Sequence, residues 1–210
     1  MARITKTEFQ NRVNSLNIEL SETFFSDIDF YISALLEWNK IHNLTAFKTF
    51  DEVYFNILDS LIPISFEELN FKSLLDIGTG AGFPSLFFSI ANKSLDITLV
   101  EPNRKRTAFL SFIKSNLKLK NLTVITKKVE DMNSDKKFSL ITSRAVTETK
   151  MLLELSKNRI DENLENSSYL FYKGSNLENE LEKTGDKSKF KNIIIKESSV
   201  NLNRKYLILN

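Results

Sequence analysis

The residues that carry the most chemical information lie between Asp76 and Glu101. An apolar run, Leu74-Leu75-Asp76-Ile77, leads into Gly78-Thr79-Gly80-Ala81-Gly82 and then Phe83-Pro84. That order predicts a buried strand, a tight turn and the start of a helix. Glycines in such a turn let backbone approach a ligand that a Cβ would block. Free amides at the start of the helix would face the same point. Asp96-Ile97-Thr98-Leu99-Val100-Glu101 reads as a second strand ending in an acid, and a carboxylate there can accept both hydroxyls of a ribose. The expected ligand is therefore nucleoside-like. Spacing excludes one common nucleotide site, the P-loop, and argues against another, the dinucleotide fingerprint. There is no G-x-x-x-x-G-K-[ST] loop, and Phe83 stands where a dinucleotide fingerprint needs its third glycine.

Other reagents are scarce. The chain has no cysteine and one histidine, His42. Disulfides, thiolate metal sites, thiol nucleophiles and a histidine relay are excluded, and no metal is expected. A glycine loop with a ribose acid but no pyrophosphate glycine resembles the class I S-adenosylmethionine-dependent methyltransferases.

Two kinds of element must position these residues. Residues 1–70 read as helices. Thr5-Lys6-Thr7-Glu8 forms a capping box ahead of Phe9, Val13 and Leu16. Ser21 is the expected cap of a longer helix whose wide apolar face runs from Phe24 to Trp38, and Asp51 the expected cap of a third that Pro63 stops. From residue 71 the pattern alternates. Strands are expected at about 72–77, 96–101, 122–126, 138–143, 168–173, 191–196 and 204–209, with helices near 84–92, 103–118, 148–160 and 175–184. Five β-α repeats and a closing antiparallel pair give an α/β fold with a seven-stranded, mostly parallel sheet. The expected division is a helical cap, 1–70, and a catalytic core, 71–210. Residues 133–137 and 184–189 read as polar exposed loops.

At 210 residues, 41% hydrophobic and 27% charged, the chain suits a globular fold with a sizeable core. It shows no apolar run of membrane-spanning length and no signal peptide at Met1-Ala2-Arg3-Ile4, so a cytoplasmic location is expected. Net charge is only +2 but uneven. Residues 1–70 carry 5 basic and 11 acidic side chains, whereas 103–137 carry 10 basic and 3 acidic ones. The second segment is suited to phosphates.

Further motifs narrow the family. The chain resembles the ribosomal RNA small-subunit methyltransferase G family, also called glucose-inhibited division protein B. The likeness rests on Trp38-Asn39-Lys40-Ile41-His42-Asn43-Leu44-Thr45, Ile57-Leu58-Asp59-Ser60-Leu61, the glycine loop, Lys105-Arg106 with Phe109-Leu110, Ser143-Arg144-Ala145 and Lys173-Gly174. The glycine loop is shared by many methyltransferases, whereas the W-N-K-x-x-N-L-T block joined to S-R-A is much more specific. The resemblance implies transfer of a methyl group from S-adenosyl-L-methionine to nitrogen-7 of a guanine in the decoding region of 16S ribosomal RNA, as naked RNA or assembled small subunit. It implies that Gly78, Gly80 and Phe83 line the cofactor pocket, with Asp76 beneath the loop and Glu101 on the ribose. Val129 and Glu130 would frame the adenine. Arg144 would contact cofactor and substrate, and Lys173 would contact RNA phosphate or guanine. The basic helix 103–118, with Lys105 and Arg106, is expected to contact RNA on its charge. The protein is expected to be a monomer.

Three departures stand out. Phe55-Asn56 replaces a basic Arg-His pair that many members have, Ser85 replaces a glycine after the loop proline, and Glu101-Pro102-Asn103 replaces the commoner Asp-Ser. Guanine nitrogen-7 has a lone pair and no proton, so it attacks without a general base, and scarce histidine is no obstacle. Three competing readings remain: a methyltransferase on another substrate, a nucleotide-binding oxidoreductase, and a cofactor-sensing RNA-binding module without turnover.

Overall fold

A computed structural model describes residues 2–161, 164, 167–184 and 187–210. Three helices come first: α1 (Lys6–Ser15), α2 (Phe24–His42) and α3 (Phe50–Leu61). The capping box at Thr5 and Glu8 is present in full. The two other expected caps are not where the sequence placed them. The α2 cap position is Thr23, whose side chain caps nothing. Ser21 instead bonds the end of a later helix, its hydroxyl donating to the Ile90 carbonyl and its amide to that of Ala91. The chain enters α3 at Thr49, whose hydroxyl accepts from the Glu52 amide, and Asp51 lies inside the first turn. Pro63 does end that helix, in a short 3-10 turn over Ile62–Ser65.

The remainder alternates: β1 (Ser73–Ile77), α4 (Leu86–Ala91), β2 (Asp96–Val100), α5 (Arg104–Asn116), β3 (Leu122–Ile125), β4 (Leu140–Arg144), α6 (Thr149–Ser156), β5 (Ser168–Lys173), α7 (Leu177–Glu182), β6 (Ile193–Glu197) and β7 (Lys205–Leu209). The sheet order is β3-β2-β1-β4-β5-β7-β6. Strands β1 to β5 run parallel, and β7 is antiparallel to both β5 and β6. The seven strands match the sequence expectation to within two residues at each end. One repeat is incomplete, because the β3-to-β4 crossover carries only a 3-10 turn, Val129–Asp131. Residues 133–137 are exposed as expected; of the loop 184–189, residues 185 and 186 lie outside the described residues.

Strand alternation builds two cores, one on each sheet face. Leu74, Ile97, Leu99, Leu170, Tyr172, Tyr206 and Ile208 join α2, α3, α4 and α5. Leu75, Ile77, Val100, Ile141, Phe171, Leu207 and Leu209 join α6 and α7. The first three helices thus share a core with the sheet. Helix α3 is buried from Glu52 to Leu61, polar residues included, because it lies between the outer helices and the strand tips. Among the described residues no helix is long and apolar enough to cross a membrane.

Candidate functional site

The strand order reverses direction between β1 and β4, and a cleft of about 240 Å³ opens at their carboxyl ends. Such a switch point is where parallel sheets hold ligands. Gly78, Thr79, Gly80, Ala81 and Phe83 form its floor, Arg106 one side, Arg144 and Ala145 another. Leu44, Thr45 and Phe47 complete it from the helical layer. The sequence did not single these three out as site residues, although two lie inside the W-N-K-x-x-N-L-T block. The block's role is local bracing. Asn43 ends α2 in a left-handed turn, and the Asn39 side chain donates to the Phe47 carbonyl at 3.0 Å and accepts the Thr45 amide at 2.9 Å. One buried amide fixes the loop that overhangs the cleft.

The glycine loop folds back on β2. Gly78 and Thr79 donate to the Val100 carbonyl. Gly78 has φ +69°, and a Cβ there would lie 2.5 Å from Val146 Cγ2. Gly80 has φ +61° and a Cβ there would meet nothing within 4 Å, so its backbone fronts open space. Glu101 is 3% exposed. Its Oε2 accepts the Gly80 amide and its Oε1 the Asn103 amide, both at 2.9 Å, and Arg106 stands 3.7 Å from Oε2. Glu101 does not itself line the cleft and stands behind the loop, and each carboxylate oxygen retains further acceptor capacity. The glycine backbone that fronts open space and the carboxylate behind it fit a ribose. The following helix contributes less than expected. Helix α4 has six residues, and the amides leading into it are taken: Ser85 donates to Asp76 Oδ2 and Leu86 to the Gly82 carbonyl.

Asp76 is fully buried beneath the loop. Burial pushes its carboxyl up to about 7, opposed by the Thr79 hydroxyl and the Ser85 amide and hydroxyl, with the Glu101 carboxylate adding to the rise. Its Oδ1, together with the Thr79 and Ser85 hydroxyls, has no aligned hydrogen-bond partner. Three buried polar atoms without a well-aligned bond, under a glycine loop, fit a bound polar group or an ordered water. Ser85, in the place of a glycine, adds one of them.

Arg144 leaves β4 toward α3. Its guanidinium donates to Asn56 Oδ1 at 2.5 Å and to Ser60 Oγ at 3.2 Å, lies 3.7 Å from Asp59 Oδ2 and covers the Phe83 ring at 5.5 Å. Asn56 therefore clamps Arg144 and does not reach solvent, which accounts for a neutral residue in place of a basic one. Asp59 is fully buried and is the hub behind the clamp. Its Oδ2 accepts Arg204 Nε at 3.1 Å, and its Oδ1 accepts the Tyr206 hydroxyl at 2.9 Å and that of Ser198 at 3.3 Å. Burial and the Asp59 carboxylate hold the Tyr206 hydroxyl protonated, as a donor.

Lys173 is also buried. Its ammonium donates to the Thr147 carbonyl at 2.9 Å and to Glu180 Oε2 at 2.8 Å. It lines a second cavity of about 300 Å³ that shares Ala145 with the first. Val129 is buried in the second core and Glu130 is exposed, and neither lines the cleft. On α5, Phe109, Leu110 and Ile113 point inward while Arg104 and Lys105 are exposed and Arg106 is half-buried. Asn103 caps that helix by accepting the Lys105 and Arg106 amides. Among the described residues no group of three or more His, Asp or Glu side chains is placed to hold a metal.

The family model described as rRNA small subunit methyltransferase G matches residues 25–206. The chain belongs to this family. A relative named Ribosomal RNA small subunit methyltransferase G, from Aliarcobacter butzleri, is 46% identical over 173 residues, covering 82% of this chain and 87% of the relative. Two solved structures share the fold at low identity. A ribosomal protein L11 methylase from Lactobacillus delbrueckii subsp. bulgaricus superposes with a TM-score of 0.57 at 12% identity, over 75% of this chain and 78% of that one. Aeropyrum pernix fibrillarin, solved with bound S-adenosyl-L-methionine, gives 0.55 at 11%, over 76% and 74%. The fold is that of the class I S-adenosylmethionine-dependent methyltransferases. Membership of the methyltransferase G family removes the oxidoreductase reading.

Proposed function

We propose that this chain methylates nitrogen-7 of a guanine in the decoding region of 16S ribosomal RNA, with S-adenosyl-L-methionine as methyl donor. The observation that carries the reading is the cleft at the β1/β4 switch point, floored by Gly78-Thr79-Gly80 and backed by Glu101, in a chain of this family. Glu101 takes the ribose hydroxyls, and Gly78, Gly80 and Phe83 line the cofactor. Asp76 supports the methionine end from below. Val129 and Glu130, after β3, are assigned to the adenine side. The cofactor supplies an electrophilic methyl on a sulfonium, and the guanine lone pair displaces a neutral thioether from it. The new N–C bond leaves the positive charge on the base, and no proton moves at nitrogen-7. The protein's part is alignment, which in good cases contributes roughly 7–11 kcal/mol. Arg144, clamped by Asn56 and Asp59, acts by position and not as an acid or base.

Residues 1–70 form a cap whose 43–48 loop overhangs the cleft, and 71–210 the catalytic core. The exposed basic side of α5, with Lys105 and Arg106, receives RNA phosphates, consistent with the excess of 10 basic over 3 acidic residues in 103–137. The chain acts as a monomer in the cytoplasm, on ribosomal RNA or the small subunit and without membrane attachment; the residues that line the cleft, from Leu44 to Ala145, leave no side of it to a second copy to complete. A thermal-shift panel tests the cofactor assignment. S-adenosyl-L-methionine and S-adenosylhomocysteine are expected to raise the melting temperature in proportion to the logarithm of ligand excess, and NAD or NADP to leave it unchanged. Stabilisation by the dinucleotides alone would overturn it.

A further inference from the structure

The second cavity is not needed to explain cofactor binding. It is lined by Ser143 near the end of β4, Ala145 and Thr147 after it, Tyr172 and Lys173 at the end of β5, Glu180 of α7 and Arg204 ahead of β7. Its volume, about 300 Å³, is at the small end of ligand pockets. It meets the cofactor cleft at Ala145, whose backbone takes a left-handed turn with φ +56°. Its polar equipment is unusual. Glu180 Oε2 is saturated, accepting the Thr149 amide at 3.0 Å, the Thr149 hydroxyl at 2.9 Å and the Lys173 ammonium at 2.8 Å. Oε1 of the same carboxylate has no hydrogen bond from the described residues. Burial alone would raise the Glu180 carboxyl, but Lys173 and Thr149 bring it below the usual range, so it stays an acceptor at neutral pH. Lys173 has two of its three donors engaged, with Thr147 and Glu180. The cavity wall therefore presents one free donor beside one free acceptor, held rigid by an ion pair with little exposure.

We propose that the Lys173–Glu180 pair reads the Watson–Crick edge of the target guanine and makes Glu180 a specificity-determining residue of the methyl transfer. This inference rests on the guanine methyltransferase reading given above. Around a guanine ring, O6 follows nitrogen-7 and is followed by N1–H and the N2 amino group. A base that turns nitrogen-7 past Ala145, toward the cofactor cleft, brings O6 to the Lys173 ammonium. Its N1–H and N2–H then face Glu180 Oε1. Adenine in the same pose sets its N6 donor against the lysine donor and its N1 acceptor against the carboxylate, two repulsions in place of two bonds. The ion pair also answers an electrostatic problem. A lone cation beside the base would oppose the charge that develops at nitrogen-7, whereas a lysine neutralised by its own glutamate can donate to O6 with little such penalty.

The test uses the full-length protein with labelled S-adenosyl-L-methionine and small-subunit RNA, with guanosine or inosine at the modified position. Inosine keeps O6 and N1–H but lacks the N2 amino group. Wild type is expected to methylate the inosine RNA about 10- to 100-fold less efficiently, the discrimination typical of one good base contact. Glu180→Gln, which still offers Thr149 an acceptor, is expected to lose about that factor on guanosine RNA and to treat the two substrates alike. Cofactor affinity measured by calorimetry should stay within about twofold of wild type. Equal losses by Glu180→Gln on both RNAs, with discrimination preserved, would assign Glu180 a purely structural role and overturn the proposal. Absence of transfer by wild type to either RNA would instead overturn the underlying functional reading.

Discussion

Asp59→Ala is expected to lower stability by about 3–5 kcal/mol, because it strips the counterion from buried guanidinium groups. Asp59 is fully buried, and the Arg204 and Arg144 side chains around it are only 14% and 13% exposed. The substitution also leaves the Tyr206 and Ser198 hydroxyls without their shared acceptor. For a chain of this length that free energy corresponds to a fall in melting temperature of about 6–20 °C. Asp59→Asn separates the two causes. It keeps one acceptor for Tyr206 but removes the charge, and most of the loss should persist. The measurement is denaturant or thermal unfolding of the three proteins side by side. An Asp59→Asn protein as stable as wild type would mean that the arginines are balanced elsewhere, and the hub assignment would fail. The hub ties α3 to β4 and β7, so cofactor-site geometry should suffer with it, through the released Arg144.

Glu101→Ala carries the largest expected effect on binding. Glu101 fastens the Gly80 and Asn103 amides. Toward the cofactor it supplies the carboxylate for two ribose hydroxyls, each such charged hydrogen bond contributing about 1.5–3 kcal/mol. Affinity for S-adenosyl-L-methionine is expected to fall at least about a hundredfold, read by titration calorimetry, with a smaller drop in melting temperature from the two orphaned amides. Glu101→Asp restores the charge with a shorter reach and should recover most of the affinity, since aspartate is the commoner residue at this place in the family. Unchanged affinity in the alanine variant would remove Glu101 from the ribose.

Much of this arrangement is legible in the sequence, for physical reasons. Strands buried on both faces leave long apolar runs, and Gly78, Gly80 and the acids at 76 and 101 fall at strand ends where period-two reading stops. Helix entry is harder. Ser21, Thr23, Thr49 and Asp51 are all able cap residues. Which one acts is decided by tertiary contacts: Ser21 is engaged by α4, and the chain turns into α3 two residues before Asp51. The Asp59 hub is invisible locally, since its partner Arg204 is 145 residues away. Lys173 reads as a cation for RNA phosphate or guanine, and the sequence does not show that it is 6% exposed and paired with Glu180. Nothing in the spacing of these two residues announces the pair, because the turn between β5 and α7 brings them together. Asn56 reads as the loss of an RNA contact, and packing turns it into the clamp on Arg144.

The most direct test of the account follows the methyl group itself. Purified protein would be incubated with methyl-labelled S-adenosyl-L-methionine and small subunits, or their RNA, from a strain lacking this activity, and the RNA digested to nucleosides. Label is expected in 7-methylguanosine alone. Label in any other nucleoside, or an RNA left unlabelled by protein that binds the cofactor, would contradict it.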